Sequence, residues 1–351
     1  MRTNQTLVIL TPGFAACEED TTCLPMQQAL VKTWAAMYPE LTIVILGFQY
    51  PYAERKYNWY GVTVFSFNGR NRGGLQRLLL RRKIYRVLEE VHYSGQIIGL
   101  ISFWYGECAA LGKQFARKYR LKHCCWLLGQ DAGKGNNYPK RYPLHPGEII
   151  ALSDFLQEEF ERNYAVKPAH VIPPGVCTVT NTQPKSNKDI DILGTGSLIP
   201  LKQFEIFLLA VAKIKRVMGT LNVVLIGEGP ERKKLETLIF EQSLQGTVHL
   251  TRALPYPDVL SRMQRAKVFL HPSRYEGFAN VFLEALHGGA QVVSFVQPMR
   301  KTIERWYVVN SLDEMTNKTI ALLRNPADDT RYNPVFPIEE TVQKLMQLYR
   351  T

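Results

Sequence analysis

The stretch His271-Pro-Ser-Arg-Tyr-Glu-Gly-Phe-Ala-Asn-Val-Phe-Leu-Glu-Ala-Leu-His-Gly-Gly-Ala-Gln-Val-Val293 places two carboxylates, Glu276 and Glu284, on either side of a strand-to-helix junction. Lys267 to His271 reads as a buried strand and Pro272 to Gly277 as a turn. Phe278 to His287 then reads as a helix with apolar Phe282, Leu283 and Leu286 facing inward. Such a junction points backbone N–H groups outward, and they form an anion site. A carboxylate beside an anion site is unfavourable unless it serves hydroxyl groups, since Glu can accept two hydrogen bonds from a diol. The pair therefore points to a ligand with both phosphates and sugars. Taken alone, the spacing is better read as an ordinary strand–turn–helix with two surface glutamates.

With its flanking Pro-Ser and Gly-Phe, and the Glu-Ala with downstream Gly-Gly-Ala-Gln-Val-Val, the run resembles the E-x7-E signature of the retaining glycosyltransferases of family 4. The resemblance implies an α/β chain of the GT-B fold, two Rossmann-like doubly wound domains facing across a cleft. It implies that Glu276 contacts the donor sugar and Glu284 the nucleotide ribose. The N–H groups of Gly277, Phe278, Ala279 and Asn280 would then lie by the sugar and phosphates.

The rest of the C-terminal half extends the resemblance. Lys188-Asp-Ile-Asp-Ile-Leu opens it with an apolar strand, followed by Gly194-Thr-Gly-Ser-Leu-Ile-Pro-Leu-Lys202 and a helix from about Gln203 to Val217. That order places Gly196, Ser197 and Lys202 where a diphosphate would lie, and a charge-assisted contact there is worth about 1.5–3 kcal/mol. Lys202 resembles the family's phosphate lysine, while Ser197 stands where an arginine usually accompanies it. Leu221-Asn-Val-Val-Leu-Ile-Gly-Glu-Gly-Pro230 fits a central parallel strand with its tight turn. A helix from Glu231 to Gln242 follows. Val248-His-Leu-Thr-Arg-Ala-Leu254 is a further strand, whose end lies against the nucleotide base in the family, so Arg252 is a candidate neighbour of base or phosphate. Strand and helix alternate to Val293, the pattern of a sheet whose ligands sit at the strand C-termini.

The N-terminal half shows strands at Thr6 to Leu10, Leu41 to Phe48, Val62 to Phe67 and Gln96 to Phe103, with helical spacing over Leu24 to Met37. The turn at Gly13 lacks G-x-G-x-x-G, which argues against a dinucleotide cofactor. By resemblance, Gly13 and Phe14 border the acceptor site. Many family members carry a histidine where this chain has Trp104 and Glu107, or Gln130 and Asp131. Those carboxylates are candidates to orient hydroxyls, with a helix cap or turn as the alternative. A front-face transfer needs no histidine, because the leaving phosphate can take the acceptor proton.

At 351 residues, with 46% hydrophobic and 21% charged residues, the chain suits two globular domains. Residues 1–176 read as the N-terminal acceptor domain, with Val171-Ile-Pro-Pro-Gly-Val176 near its end, and 177–336 as the donor domain, with Thr178 to Lys188 as linker. Residues 337–351 read as a helix that, in this fold, packs back on the first domain. The net charge is +12, and the densest basic cluster is Gln76-Arg-Leu-Leu-Leu-Arg-Arg-Lys-Ile-Tyr-Arg86. A basic amphipathic helix suits an anionic membrane surface, and a solvated helix face is the plain alternative. No helix-turn-helix, RNP or zinc pattern supports nucleic acid binding. Six cysteines show no C-x-x-C spacing and read as reduced residues of a cytoplasmic protein, and no signal peptide or spanning run is visible. Asp189-Ile-Asp191 spells D-x-D but reads as a strand entrance, so no metal is expected.

The combined expectation is a metal-independent, retaining glycosyltransferase that uses a UDP- or GDP-linked sugar as substrate and no cofactor. Its acceptor would be a glycan or lipid-linked hydroxyl, met in the cytoplasm or at the inner face of the membrane. Lys202 and Glu276 would carry the chemistry. A sugar-nucleotide epimerase and a catalytically degenerate scaffold are the rival readings.

Overall fold

A computed structural model describes residues 5–176, 187–278, 280–325 and 335–350. Residues 178–186 of the linker reading, and Ala279, lie outside them. The chain divides into two compact units, Met1–Gly175 with Ile338–Thr351, and Val176–Pro337. Each is an α/β unit built on a mainly parallel sheet.

In chain order the first unit begins with β1 (Gln5–Gly13), α1 (Pro25–Met37), β2 (Thr42–Tyr50), β3 (Glu54–Trp59), β4 (Val62–Phe67), α2 (Gly74–Ser94) and β5 (Gln96–Phe103). It continues with α3 (Glu107–Tyr119), β6 (His123–Leu127), α4 (Tyr138–Arg141), β7 (Ile149–Ala151), α5 (Asp154–Tyr164) and β8 (His170–Val171). The eight strands run β3-β4-β2-β1-β5-β6-β7-β8. The apolar runs of β1 and β2 are buried on both faces, as helices on either side of a parallel sheet require. On one face Val8, Leu10, Val44 and Leu46 pack with Ile84 and Leu88 of α2 and Leu111 and Phe115 of α3.

Among the described residues β3 is the one antiparallel strand of this sheet, an element absent from the sequence reading. It returns to β4 through Tyr60 and Gly61, both at positive φ (45° and 82°), as a two-residue hairpin turn of type I′ demands. Its outer residues are polar and exposed because an edge strand has no neighbour, and Glu54, Arg55 and Lys56 protect that edge from pairing with another chain. A search for apolar runs therefore passes over it.

The second unit comprises β9 (Ile190–Thr195), α6 (Phe204–Met218), β10 (Val223–Ile226), α7 (Arg232–Glu241), β11 (Val248–Thr251) and α8 (Tyr256–Arg265). After these come β12 (Ala266–His271), α9 (Asn280–His287), β13 (Gln291–Ser294), β14 (Trp306–Val308) and α10 (Leu312–Arg324). All strand pairs are parallel, in the order β11-β10-β9-β12-β13-β14. This is the 3-2-1-4-5-6 order of a Rossmann sheet, and its direction of winding reverses between β9 and β12. Phe207, Leu208 and Val211 of α6 and Met315 of α10 share one core with Ile192, Leu225 and Leu270.

The last helix, α11 (Ile338–Gln347), belongs to the first unit and packs on α1. Thr341 donates to the Pro173 carbonyl at 3.0 Å. Beyond the helix, the Tyr349 hydroxyl donates to the Leu100 carbonyl at 2.9 Å. The Tyr349 ring lies against Gly99, where an added Cβ would meet it at 2.2 Å.

Candidate active site

At the reversal point of the second unit, β9 ends at Thr195 and the chain turns at Gly196, whose φ of 154° suits glycine. The turn interlocks with the one after β10: Gly196 N–H donates to the Ile226 carbonyl at 3.0 Å and Leu198 N–H to the Glu228 carbonyl at 2.8 Å. An added Cβ on Gly227 would stand 2.1 Å from the Gly196 oxygen, so this approach needs the glycine. Pro200–Lys202 then forms a single 3-10 turn, and Gln203 is left-handed (φ 50°). Helix α6 therefore starts at Phe204 rather than at Gln203. Leu201 also holds the loop after β12, accepting from Arg274 N–H at 3.3 Å and Ser273 Oγ at 3.2 Å.

These ties bring Lys202 onto Glu276. The Lys202 ammonium and the Glu276 carboxylate form an ion pair through Oε1, with side chains 18% and 9% exposed. His271, at the end of β12, places Nε2 3.0 Å from the same oxygen. Burial lowers the His271 pKa, so the ring is neutral and donates an N–H. Burial also pushes the Glu276 carboxyl upward, but the His271 hydrogen bond and the Lys202 charge outweigh it and hold the group below the usual carboxylate range. Rings of Phe204, Phe269 and Phe282 pack around His271.

Glu284, on α9, is half-buried and accepts from the Tyr256 hydroxyl at 2.8 Å. Burial raises its carboxyl to about 7, partly offset by that bond. One turn earlier, the Asn280 Oδ1 is buried without a partner. Gly277 is buried, and the Phe278 ring packs against Trp306 and Phe336. Ser197 is exposed, and Arg252 follows β11 with its side chain 85% exposed and 3.9 Å from Glu228. Asp189 and Asp191 pair with Arg265 and Lys267. Asp191 lies inside β9 rather than ahead of it.

In the first unit, Gly13 closes β1, but Phe14 is fully buried edge-on to Trp59, with centroids 4.7 Å apart. Its ring thus serves the core rather than an acceptor site. Trp104 follows β5 at positive φ (64°) and is half-buried. Glu107 is occupied: Arg77 Nε and Arg81 Nε bind its Oε1 at 2.8 and 2.6 Å, and Gln49 Nε2 lies 3.4 Å from Oε2. Asp131 accepts from the backbone N–H groups of Tyr105 (2.8 Å), Gly129 (2.8 Å) and Leu128 (3.1 Å). Burial raises it to about 6 against those bonds, and it closes the loop after β6 as a turn carboxylate. Neighbouring Gln130 is exposed. Two residues of the C-terminal site escaped the sequence reading. His271 stands at a strand end five residues before Glu276, a signal that was available, whereas nothing local marks Tyr256.

Residues 179–332 match the model of the family described as glycosyl transferases group 1. The chain is 26% identical over 151 residues to the phosphatidylinositol N-acetylglucosaminyltransferase gpi3 subunit of Schizosaccharomyces pombe, covering 42% of this chain and 33% of that protein. It is 29% identical over 161 residues to an MMP alpha-(1->4)-mannosyltransferase of Mycolicibacterium hassiacum, covering 44% and 38%. The matches thus span about a third of the length of these curated relatives. Among solved structures, sucrose-phosphate synthase from Thermosynechococcus elongatus superposes with a TM-score of 0.73 at 17% identity, covering 99% of this chain and 98% of that one. Anabaena HepE in complex with UDP and glucose gives 0.66 at 15% identity, covering 97% and 98%. The second unit is a glycosyl transferases group 1 domain by sequence, and the chain as a whole has the two-domain, Rossmann-like fold of GT-B glycosyltransferases.

Proposed function

We propose that the chain is a retaining glycosyltransferase of the family 4 type, moving a sugar from a UDP- or GDP-linked donor to a hydroxyl of a lipid-linked or glycan acceptor. The observation that carries this reading is the convergence of Lys202 and His271 on Glu276 at the reversal point of a group 1 domain. The donor diphosphate lies by Gly196, Ser197, Lys202 and the amides of Gly277, Phe278 and Asn280, where Lys202 rather than a metal ion offsets its charge. Glu276 accepts from sugar hydroxyls, and Glu284 from the ribose diol. Without donor, Lys202 and Glu276 neutralise one another. With donor, the ammonium turns to the phosphates and the carboxylate to the sugar. The bond from the anomeric carbon to the phosphate oxygen breaks as the acceptor oxygen joins on the same face, and the acceptor proton passes to the leaving phosphate.

A lipid-linked acceptor is supported by the relatives named phosphatidylinositol N-acetylglucosaminyltransferase and by α2. Its outer face exposes Leu75 (71%), Leu78 (46%) and Leu79 (46%) beside Arg82 and Arg86, a pattern suited to a peripheral position on an anionic membrane. Among the described residues no helix is long and apolar enough to cross a membrane. The test is incubation with a panel of UDP- and GDP-sugars. Release of nucleoside diphosphate that is lost in Glu276→Ala, with the anomeric configuration kept in the product, is the expected result. Sugar interconversion without release would instead indicate an epimerase, and binding without turnover a scaffold.

A further inference from the structure

We infer that Arg77 and Arg81 form an anion-binding subsite in the first unit that takes a phosphate group. Assigning that phosphate to the acceptor rests on the transferase reading above, whereas the anion site itself does not. Both Nε atoms converge on one oxygen of Glu107, at 2.8 and 2.6 Å. Two guanidiniums on one carboxylate leave a net positive charge, and neutralising Glu107 would need only one of them. The carboxylate side chain is 9% exposed, while Arg77 and Arg81 are 42% and 30% exposed. The carboxylate thus lies beneath and fixes two planar, partly exposed donors, Arg77 also donating to the Tyr138 hydroxyl and Arg81 bonded to Tyr142, and their remaining N–H groups suit phosphate oxygens.

The placement is that of a ligand site. Glu107 opens α3 directly after β5, at the strand's C-terminal end and beside the reversal of winding between β1 and β5. Gln49, at the end of β2, and the Tyr138 hydroxyl, which accepts from Arg77, complete the surroundings. Arg70 and Arg72 lead into α2, and among the described residues no ion pair joins either to a carboxylate. Arg77 and Arg81 are one turn apart on the side of α2 that also carries buried Leu80, Ile84 and Leu88. The exposed leucines occupy the other side, so the pair is separate from the proposed membrane face.

The experiment titrates inorganic phosphate and glycerol phosphate into the full chain carrying Lys202→Ala, which removes the ammonium of the proposed donor site. Saturable binding is expected, and Arg77→Gln with Arg81→Gln should weaken it about tenfold or more. Glu107→Gln should tighten it, because the cluster gains net charge, whereas a purely structural ion pair predicts no gain. The triple variant, which also removes the buried carboxylate, controls for folding. Vesicles containing phosphatidic acid form a second arm: binding there but not to glycerol phosphate assigns the phosphate to a lipid headgroup, and binding to both assigns it to the phosphate alone. Absence of saturable binding in both arms, or binding unchanged in the arginine variants, overturns the subsite. Nucleoside diphosphate binding by the arginine variants in a chain that keeps Lys202 reports separately on the donor reading and should match the wild-type value.

Discussion

Glu276 holds two partners on one oxygen, so its removal affects binding and chemistry differently. Glu276→Gln keeps the side chain's size and a carbonyl to accept from His271, but frees the Lys202 ammonium from its counter-ion. Nucleoside diphosphate should bind as well as before or more tightly, while sugar transfer falls by about a hundredfold or more. Calorimetric titration paired with turnover assays distinguishes this from simple unfolding, which would lower both. Glu284 gives a pH prediction. Its carboxyl is raised to about 7 in the folded chain against an ordinary value of 4.5, so the folded state holds the proton more tightly than the unfolded one. Stability from this group is full below about pH 4.5 and declines as pH rises through 7. Glu284→Gln should therefore unfold at a higher temperature than wild type at pH 8, by on the order of 1–3 kcal/mol, with the gain vanishing near pH 4. Lys202, Glu276 and Glu284 could be singled out in the sequence because they stand at fixed offsets from strand ends and glycine turns. Tyr256 could not, since it meets Glu284 only through packing of α8 on α9. A carboxylate at a strand end, such as Glu107 or Asp131, reads the same whether it awaits a ligand or holds a loop.

At the scale of elements, the interlocked turns after β9 and β10 fix the height of Lys202. Gly227→Ala would drive its Cβ into the Gly196 carbonyl, which neither backbone can yield without moving. A loss of about 2–3 kcal/mol is expected, with nucleoside diphosphate affinity falling in parallel because the β9 turn shifts. A variant that lost stability with unchanged affinity would show that this turn does not set the site. The three-residue edge strand β14 (Trp306–Val308) went unread for its shortness, whereas parallel strands such as β1, β2, β9 and β10 were legible because they are buried and nearly uninterrupted apolar runs. The hairpin strand β3 was not, because an edge exposes its polar residues. The apolar positions on the outer face of α2 give the helix an expected response: Leu75→Ser with Leu79→Ser should leave stability within about 0.5 kcal/mol of wild type. The same pair should reduce co-sedimentation with anionic vesicles, and undiminished binding would remove the leucines from the membrane reading.

Across the whole molecule, each unit carries its own sheet and core, and α11 contributes to only one of them. Ile338, Val342, Leu345 and Met346 are nearly inaccessible, and burying such a side chain stabilises by about 1.5–3 kcal/mol. Four of them together approach the net stability of an ordinary domain, about 5–15 kcal/mol, before counting the Tyr349 ring against Gly99 or its hydrogen bond to Leu100. Removing residues 338–351 should therefore abolish or strongly lower the unfolding transition of the first unit. The second unit, Val176–Pro337, keeps its six-stranded sheet together with Lys202, His271, Glu276 and Glu284. Its transition should persist in calorimetry, and nucleoside diphosphate should still raise it, by about 2.7 kcal/mol of stability at a ligand concentration one hundred times the dissociation constant. Sugar transfer should disappear even so, because the acceptor reading places that substrate on the unit that no longer folds. If nucleotide binding vanished with the helix, the donor residues would depend on the first unit, and the assignment of nucleotide recognition to the second unit alone would have to be given up.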